Sequence, residues 1–111
     1  MTTPLTLTTD RGVDGTPRVI AAGEIDISNI HVFTEALTTA SEGKSRPITV
    51  DMSEVKYLDS AGINVLFKYA EEIDRLHLIV HPFLMRVLTV TGLNKIATVQ
   101  PAPAPAREEN Q

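Results

Sequence analysis

Strand-like and helix-like segments alternate along this chain from residue 25 onward, and this order constrains its fold more than any other feature. Short runs rich in β-branched or apolar residues predict strands at 5–9, 18–23, 47–52, 76–80 and 96–99. Apolar residues three and four apart predict helices after Ser28, after Ser60 and over 82–91. We therefore expect an α/β domain with a mixed, mostly parallel sheet of about five strands and three to four helices, its first two strands forming an antiparallel pair.

The residues at the predicted helix ends suit their positions. Ser28 and Ser60 each precede an apolar-periodic run, where a hydroxyl can accept a free backbone N–H, so both are predicted N-caps. Gly43 and Gly92 follow such runs, where a left-handed residue commonly ends a helix. Two apolar stripes should face the core: Ile30, Phe33, Ala36, Leu37 and Ala40 in the first helix, and Ile63, Leu66, Phe67, Ala70 and Ile73 in the second.

The length of the chain limits the number of its domains, and its charge limits its partners. Its 111 residues predict one domain, over 1–100, and the Pro/Ala-rich segment 101–111 predicts an extended, disordered tail because it has no apolar period. A net charge of −4 argues against binding nucleic acid or anionic membrane surfaces. No segment has the roughly 18 apolar residues of a transmembrane helix, and no basic region followed by an apolar run begins the chain. We expect a cytoplasmic protein.

Within residues 57–66 a strand ends, two small polar residues follow, and an apolar-periodic helix begins. Ser60 lies at the start of that helix, where the helix dipole favours negative charge, so a phosphate would be well accommodated there. Judged by the local sequence alone, a simple capping serine is the stronger interpretation.

Four short motifs resemble those of one family. They are Gly-Glu-Ile-Asp at 23–26, Val-Asp-Met-Ser at 50–53, Leu-Asp-Ser-Ala-Gly at 58–62 and Val-Leu-Thr-Val-Thr-Gly-Leu at 87–93. In this order they resemble the STAS-domain anti-sigma factor antagonists of bacterial partner-switching pathways, over residues 5–99. One departure is the connection between Glu72 and Leu76, which is several residues shorter than the family's usual basic, glycine-containing loop.

The resemblance implies a function. The serine that matches Ser60 is the one phosphorylated by the cognate anti-sigma factor kinase, and the unphosphorylated form binds that anti-sigma factor and frees a sigma factor. It also implies that Asp26, Asp59, Ala61 and Gly62 belong to the partner-binding rim, although the local sequence by itself favours a turn or helix-entry residue at Asp26. The same fold could instead serve as a STAS subunit that docks on a transporter or on a larger stress-signalling complex.

Val65 and Tyr69 lie four apart and outside the core stripe of their helix. On an exposed flank they would be suited to contact a partner, but they could equally pack beneath a loop.

The sequence offers little support for catalysis. A serine hydrolase would need a base and an orienting acid near Ser60, but no histidine is tied to Ser60 by sequence, and the glycine two residues before the nucleophile is missing. The chain has no Cys, and His77 and His81 lie on a strand that leads into a proline, so no metal site is predicted. No glycine-rich phosphate-binding loop is present. We expect a binding module without a cofactor, not an enzyme.

Overall fold

The computed structural model describes residues 4–42, 46–73 and 75–103. Within them the chain forms five strands, three α-helices and one short 3₁₀ turn. In chain order the elements are β1 (Thr6–Arg11), β2 (Pro17–Ile25), α1 (Ile30–Ser41), β3 (Ile48–Leu58), α2 (Ser60–Glu72), β4 (Leu76–Val80), α3 (Pro82–Thr91), the 3₁₀ turn (Leu93–Lys95) and β5 (Thr98–Pro101).

The five strands form one sheet in the order β1-β2-β3-β4-β5. β1 pairs antiparallel with β2, and the other three pairings are parallel. This confirms the mixed, mostly parallel α/β sheet that the alternation predicts.

Alternate residues of the strands are buried because the helices cover one face of the sheet. On β4, for example, Leu78 is buried, whereas His77 and Ile79 on the opposite face are half-buried. The helical layer covers a core of Val, Ile, Leu, Ala and Met with one Phe and one Tyr. In the part of the chain that the structure describes, no helix is both long and apolar enough to cross a membrane.

The predicted apolar stripes of α1 and α2 do face the core. Phe33, Leu37 and Leu66 are fully buried. Ala70 and Ile73 are nearly so, and the remaining members of both stripes are partly buried against the same cluster: Ile30, Ala36, Ala40, Ile63 and Phe67. The helical period therefore identified the buried faces correctly.

The predicted flank of Val65 and Tyr69 is not exposed. Tyr69 is only 8% exposed, and its hydroxyl hydrogen-bonds to the Thr38 hydroxyl of α1. Val65 is half-buried against the core. Of the two alternatives that the sequence left open, burial is the one observed, because α1 packs beside α2 and covers that flank. That Val65 and Tyr69 contact a partner stays a prediction.

Three of the four predicted capping residues are displaced by one position. α2 begins at Ser60 with Asp59 as its N-cap, and α1 begins at Ile30 with Asn29 as its N-cap, so neither Ser60 nor Ser28 is a capping residue. The Ser28 hydroxyl instead donates to the Asp26 carboxylate. The left-handed residue that ends α1 is Glu42, and the predicted position, Gly43, lies outside the described residues. Gly92 ends α3 in the left-handed conformation, as predicted.

β5 extends beyond its predicted end and includes Pro101, which pairs with Val80. The next residue, Ala102, donates its N–H to the Val80 carbonyl at 2.8 Å. The expectation that the tail begins at 101 is therefore wrong, because proline is acceptable in an edge strand such as β5. That residues 104–111 are disordered stays a prediction, since they lie outside the described residues.

Two truncations test where the folded domain ends. Ending the chain after Pro103 should leave the melting temperature unchanged, because residues 104–111 carry no apolar period. Ending it after Gln100 removes the hydrogen bond from Ala102 to Val80 and should lower stability by about 0.5–1.5 kcal/mol. Thermal denaturation followed by circular dichroism measures both. A fall in melting temperature when the chain ends after Pro103 would show that residues 104–111 stabilise the domain.

Candidate functional site

The ends of β2 and β3 meet at one edge of the sheet and form the candidate site. Ile25, the last residue of β2, pairs with Leu58, the last residue of β3. Asp26 and Asp59 are therefore the first residues after two neighbouring strand ends. β3 ends six residues beyond its predicted end because it continues to pair with β2 as far as this point. We call these two segments, 26–29 in the β2–α1 loop and 59–62 at the start of α2, the corner.

Asp59 joins the two segments of the corner through hydrogen bonds. Its Oδ1 accepts the N–H of Gly62 at 3.2 Å and caps α2, while its Oδ2 accepts the N–H of Ile27 at 3.0 Å. Its own N–H donates to the Ile25 carbonyl at 3.2 Å. One carboxylate thus holds the β2–α1 loop against the first turn of α2. The sequence pointed to Asp59 as a partner-binding residue but gave no sign of this bridging role.

Ser60 is exposed and is the first residue of α2. The first backbone N–H groups of a helix have no intrahelical acceptor, and the helix dipole adds positive potential there. The hydroxyl of Ser60 is therefore accessible to a modifying enzyme at a position where an added anion is tolerated.

Of the two residues after Ser60, Ala61 is half-buried and Gly62 is fully covered. A Cβ on Gly62 would lie 2.3 Å from Cδ1 of Leu58 and 3.2 Å from Cγ2 of Ile25. Gly62 thus lets α2 pack closely on the strand ends. Gly62 is buried beneath the corner, and the contact with a partner that the resemblance implies for it stays a prediction.

Asp26 organises the β2–α1 loop. Its Oδ1 accepts both the hydroxyl and the N–H of Ser28, and its own N–H donates to Oδ1 of Asn29 at 2.9 Å. The Ser28 hydroxyl, followed by the Ser28 N–H, holds the pKa of the Asp26 carboxyl below its usual range. These bonds give Asp26 the turn role suggested by its local sequence, and they place it on the same corner as Ser60.

Ile27 is a candidate that the sequence reasoning missed. Its side chain is 75% exposed, although its backbone is held by Asp59. A large apolar residue between two polar residues in a turn was the available signal. Val65 and Tyr69 are not brought to the exposed surface of the corner.

The corner is acidic. Segments 24–29 and 57–62 contain three carboxylates and no Lys or Arg. Among the described hydrogen bonds, none joins a histidine to Ser60: His77 bonds with Gln100, and Nδ1 of His81 accepts the N–H of Phe83. Within residues 4–42, 46–73 and 75–103, no three potential ligands come close enough to hold a metal ion.

Comparison with known sequences gives one family. A family model described as "Mlab, STAS domain" matches residues 8–100. The comparison with curated proteins gave no significant match.

Several solved structures share the fold. An anti-sigma factor antagonist from Mycobacterium paratuberculosis superposes with a TM-score of 0.78 at 23% identity, over 91% of this chain and 87% of that chain. The protein TM1081 gives 0.69 at 22% identity, over 94% and 87%. The anti-sigma factor antagonist SpoIIAA in its unphosphorylated form gives 0.67 at 17% identity, over 94% and 91%. At these identities the likeness establishes a common fold.

Proposed function

This chain belongs to the STAS-domain family, and we propose from that premise that it is an anti-sigma factor antagonist. In its unphosphorylated form the corner binds an anti-sigma factor and thereby releases a sigma factor in the cytoplasm. Phosphorylation of Ser60 by the same anti-sigma factor, acting as a serine kinase, switches the binding off. The chain is then a substrate and a binding module, and the ATP chemistry belongs to its partner.

The observation that carries this proposal is the position of Ser60. It is exposed at the N-terminus of α2, on a corner that a carboxylate bridge holds in place. The fold that this chain shares with two anti-sigma factor antagonists supports the assignment. A phosphate at this position would gain about 0.3–1 kcal/mol from the helix dipole, so modification need not unfold the domain.

Copurification tests the proposed function directly. The full chain, expressed at native level with an affinity tag, should retain a protein with an ATPase-type kinase domain. Incubating the purified pair with Mg-ATP should then add one phosphate, which mass spectrometry of peptides should locate at Ser60. Retention of membrane transporter components instead would favour a transporter-docking subunit, and covalent labelling of Ser60 by an organophosphonate probe would indicate a hydrolase.

Asp26→Ala should weaken partner binding more than it lowers stability. The carboxylate is half-exposed on the corner, and among the described hydrogen bonds its Oδ2 has no acceptor role, which leaves that oxygen for the partner. Because the folded-state pKa of Asp26 is lowered, its bonds to Ser28 contribute stability above the unfolded-state pKa, and that contribution is lost as the pH falls through the lower folded value. At neutral pH the substitution should cause a small loss of stability.

Asp14→Ala is the matched control. Asp14 accepts the N–H of Thr16 in the β1–β2 loop, has a lowered pKa from that bond, and lies at the opposite end of the sheet. Isothermal titration and urea denaturation on both variants separate the two roles. A loss of stability with unchanged affinity in Asp26→Ala would assign Asp26 to the turn alone.

A further inference from the structure

Ile27 is both exposed and fixed in position, a combination that needs a reason. Its side chain is 75% exposed in the β2–α1 loop. An exposed isoleucine in a loop gains nothing from the folded state, since the hydrophobic effect rewards only the apolar area removed from water. Single exposed apolar residues are common on protein surfaces, so exposure alone carries no inference.

The second observation is how firmly the backbone of Ile27 is held. Oδ2 of Asp59 accepts its N–H from a position 32 residues away, while Oδ1 of the same carboxylate caps α2 next to Ser60. On either side, Asp26 bonds to Ser28, and Asn29 donates its side-chain N–H to the Glu24 carbonyl at 2.9 Å. The loop is therefore ordered before binding, which lowers the entropy that a partner would have to offset.

We propose that Ile27 is the apolar anchor of the partner interface and inserts into an apolar pocket of the anti-sigma factor, with Asp59 as the residue that positions it. The proposal rests on the proposed function, because it assumes that the corner binds that partner. The other apolar residues that are at least 70% exposed lie elsewhere: Val13 in the β1–β2 loop, and Phe83 and Val90 on α3. Tyr57, near the end of β3, is next to the corner but is less exposed than Ile27, at 49% against 75%. The Asp59 carboxylate that holds the Ile27 N–H also caps α2, the helix that begins at Ser60.

Ile27→Ser should reduce affinity for the purified anti-sigma factor by about 10- to 100-fold, the factor that corresponds to fully burying an isoleucine side chain. Ile27→Leu, which keeps the apolar volume, should restore most of the affinity. Val13→Ser is the matched control, since Val13 is fully exposed at the opposite end of the sheet, and it should leave affinity unchanged. Thermal melts should be the same for all three variants because these side chains are exposed.

The positioning role of Asp59 is tested by a double-mutant cycle. Asp59→Asn keeps the shape of the side chain but retains only one acceptor oxygen, so one of its two bonds must weaken. It should reduce affinity in the wild-type background and reduce it little further in the Ile27→Ser background, because the anchor that it positions is already gone. Independent, additive losses would mean that Asp59 does not act through Ile27.

A measurement on the unmutated protein provides a second test. The Ile27 δ-methyl signal in a methyl NMR spectrum should shift or broaden when the anti-sigma factor is added, while the Val13 methyl signals should not.

Different results would contradict the Ile27 anchor and the proposed function. If unmodified protein binds, phosphorylated protein does not, and neither Ile27→Ser nor the methyl spectrum shows an effect, the anchor is wrong and the proposed function stands. If the unmodified protein does not bind an anti-sigma factor at all, both are overturned.

Discussion

Phosphorylation of Ser60 is expected to lower affinity for the anti-sigma factor by up to about a thousandfold while the domain stays folded. The phosphate adds about −1.5 to −2 charge at an exposed helix N-terminus. One such charge about 4 Å from a partner carboxylate costs on the order of 4 kcal/mol at an effective dielectric constant near 20. At about 1.4 kcal/mol per decade of affinity, this approaches a thousandfold.

The helix dipole cannot offset that repulsion. Its stabilisation of a phosphate is about 0.3–1 kcal/mol, and it acts in the free protein as well as in the complex. A phosphate on Ser60 would directly follow Asp59 in the sequence and would add its charge to segments that already contain three carboxylates, 24–29 and 57–62. The bulk of the phosphate would also disrupt the packing of the corner against the partner. Affinity should therefore fall while the circular dichroism spectrum stays native.

Three variants define this prediction. Ser60→Ala should bind but not be modified, and Ser60→Asp should bind weakly, with a partial defect because aspartate carries less charge than phosphate. Ser28→Ala is the control, since Ser28 is a second exposed serine of the corner and its loss should leave Ser60 phosphorylation intact. Isothermal titration with and without prior phosphorylation decides the matter. Equal affinities for the two forms would exclude the switch.

Gly23→Ala should be among the most destabilising substitutions in the chain. Gly23 has a φ of 111°, which L side chains rarely adopt, at an irregularity in the pairing of β2 with β3. A Cβ there would lie 2.2 Å from the backbone oxygen of Pro4, a group that cannot rotate away as a side chain can. Backbone strain of about 1–3 kcal/mol then adds to a clash that must displace the start of β1.

We expect a total loss of about 3–4 kcal/mol, which corresponds to a fall in melting temperature of roughly 12–30 °C for a domain of this size. Gly92→Ala is the matched control: it has a similar positive φ of 87°, but nothing lies within 4 Å of the added carbon. It should cost only about 1–2 kcal/mol. Urea denaturation of both variants measures the difference, and equal losses would show that the contact with Pro4 is relieved without cost.

Much of the fold was predictable because its signals are local. β4 and α3 begin and end at the residues that the sequence predicts, since β4 is a short apolar run and α3 is bounded by Pro82 and Gly92. Helical periodicity also identified the buried faces of α1 and α2, because apolar residues three and four apart lie on one face of a helix and that face packs against the core. The corner at Ser60 was recognised from the contiguous motif at 58–62.

The helix caps were misassigned by one residue because neighbouring side chains compete for the same backbone groups. Asp59 and Ser60 are both good capping residues, and the sequence gives little reason to choose between them. In the structure Asp59 has the extended backbone of an N-cap and accepts the Gly62 N–H. The choice follows from the end of β3, which is held to β2 through the N–H of Asp59.

The sequence by itself determined the order of the elements, the buried faces of the helices and the place of Ser60 at the start of α2, because each depends on residues a few positions apart. Only the tertiary structure decided that Tyr69 is buried against Thr38, that Gly62 is covered by Leu58, and that Asp59 holds Ile27. Each of these contacts depends on how two elements pack, and for Tyr69 and Ile27 the partners are about 30 residues apart. Local periodicity carries no information on which polar groups will meet when β2 and β3 end side by side.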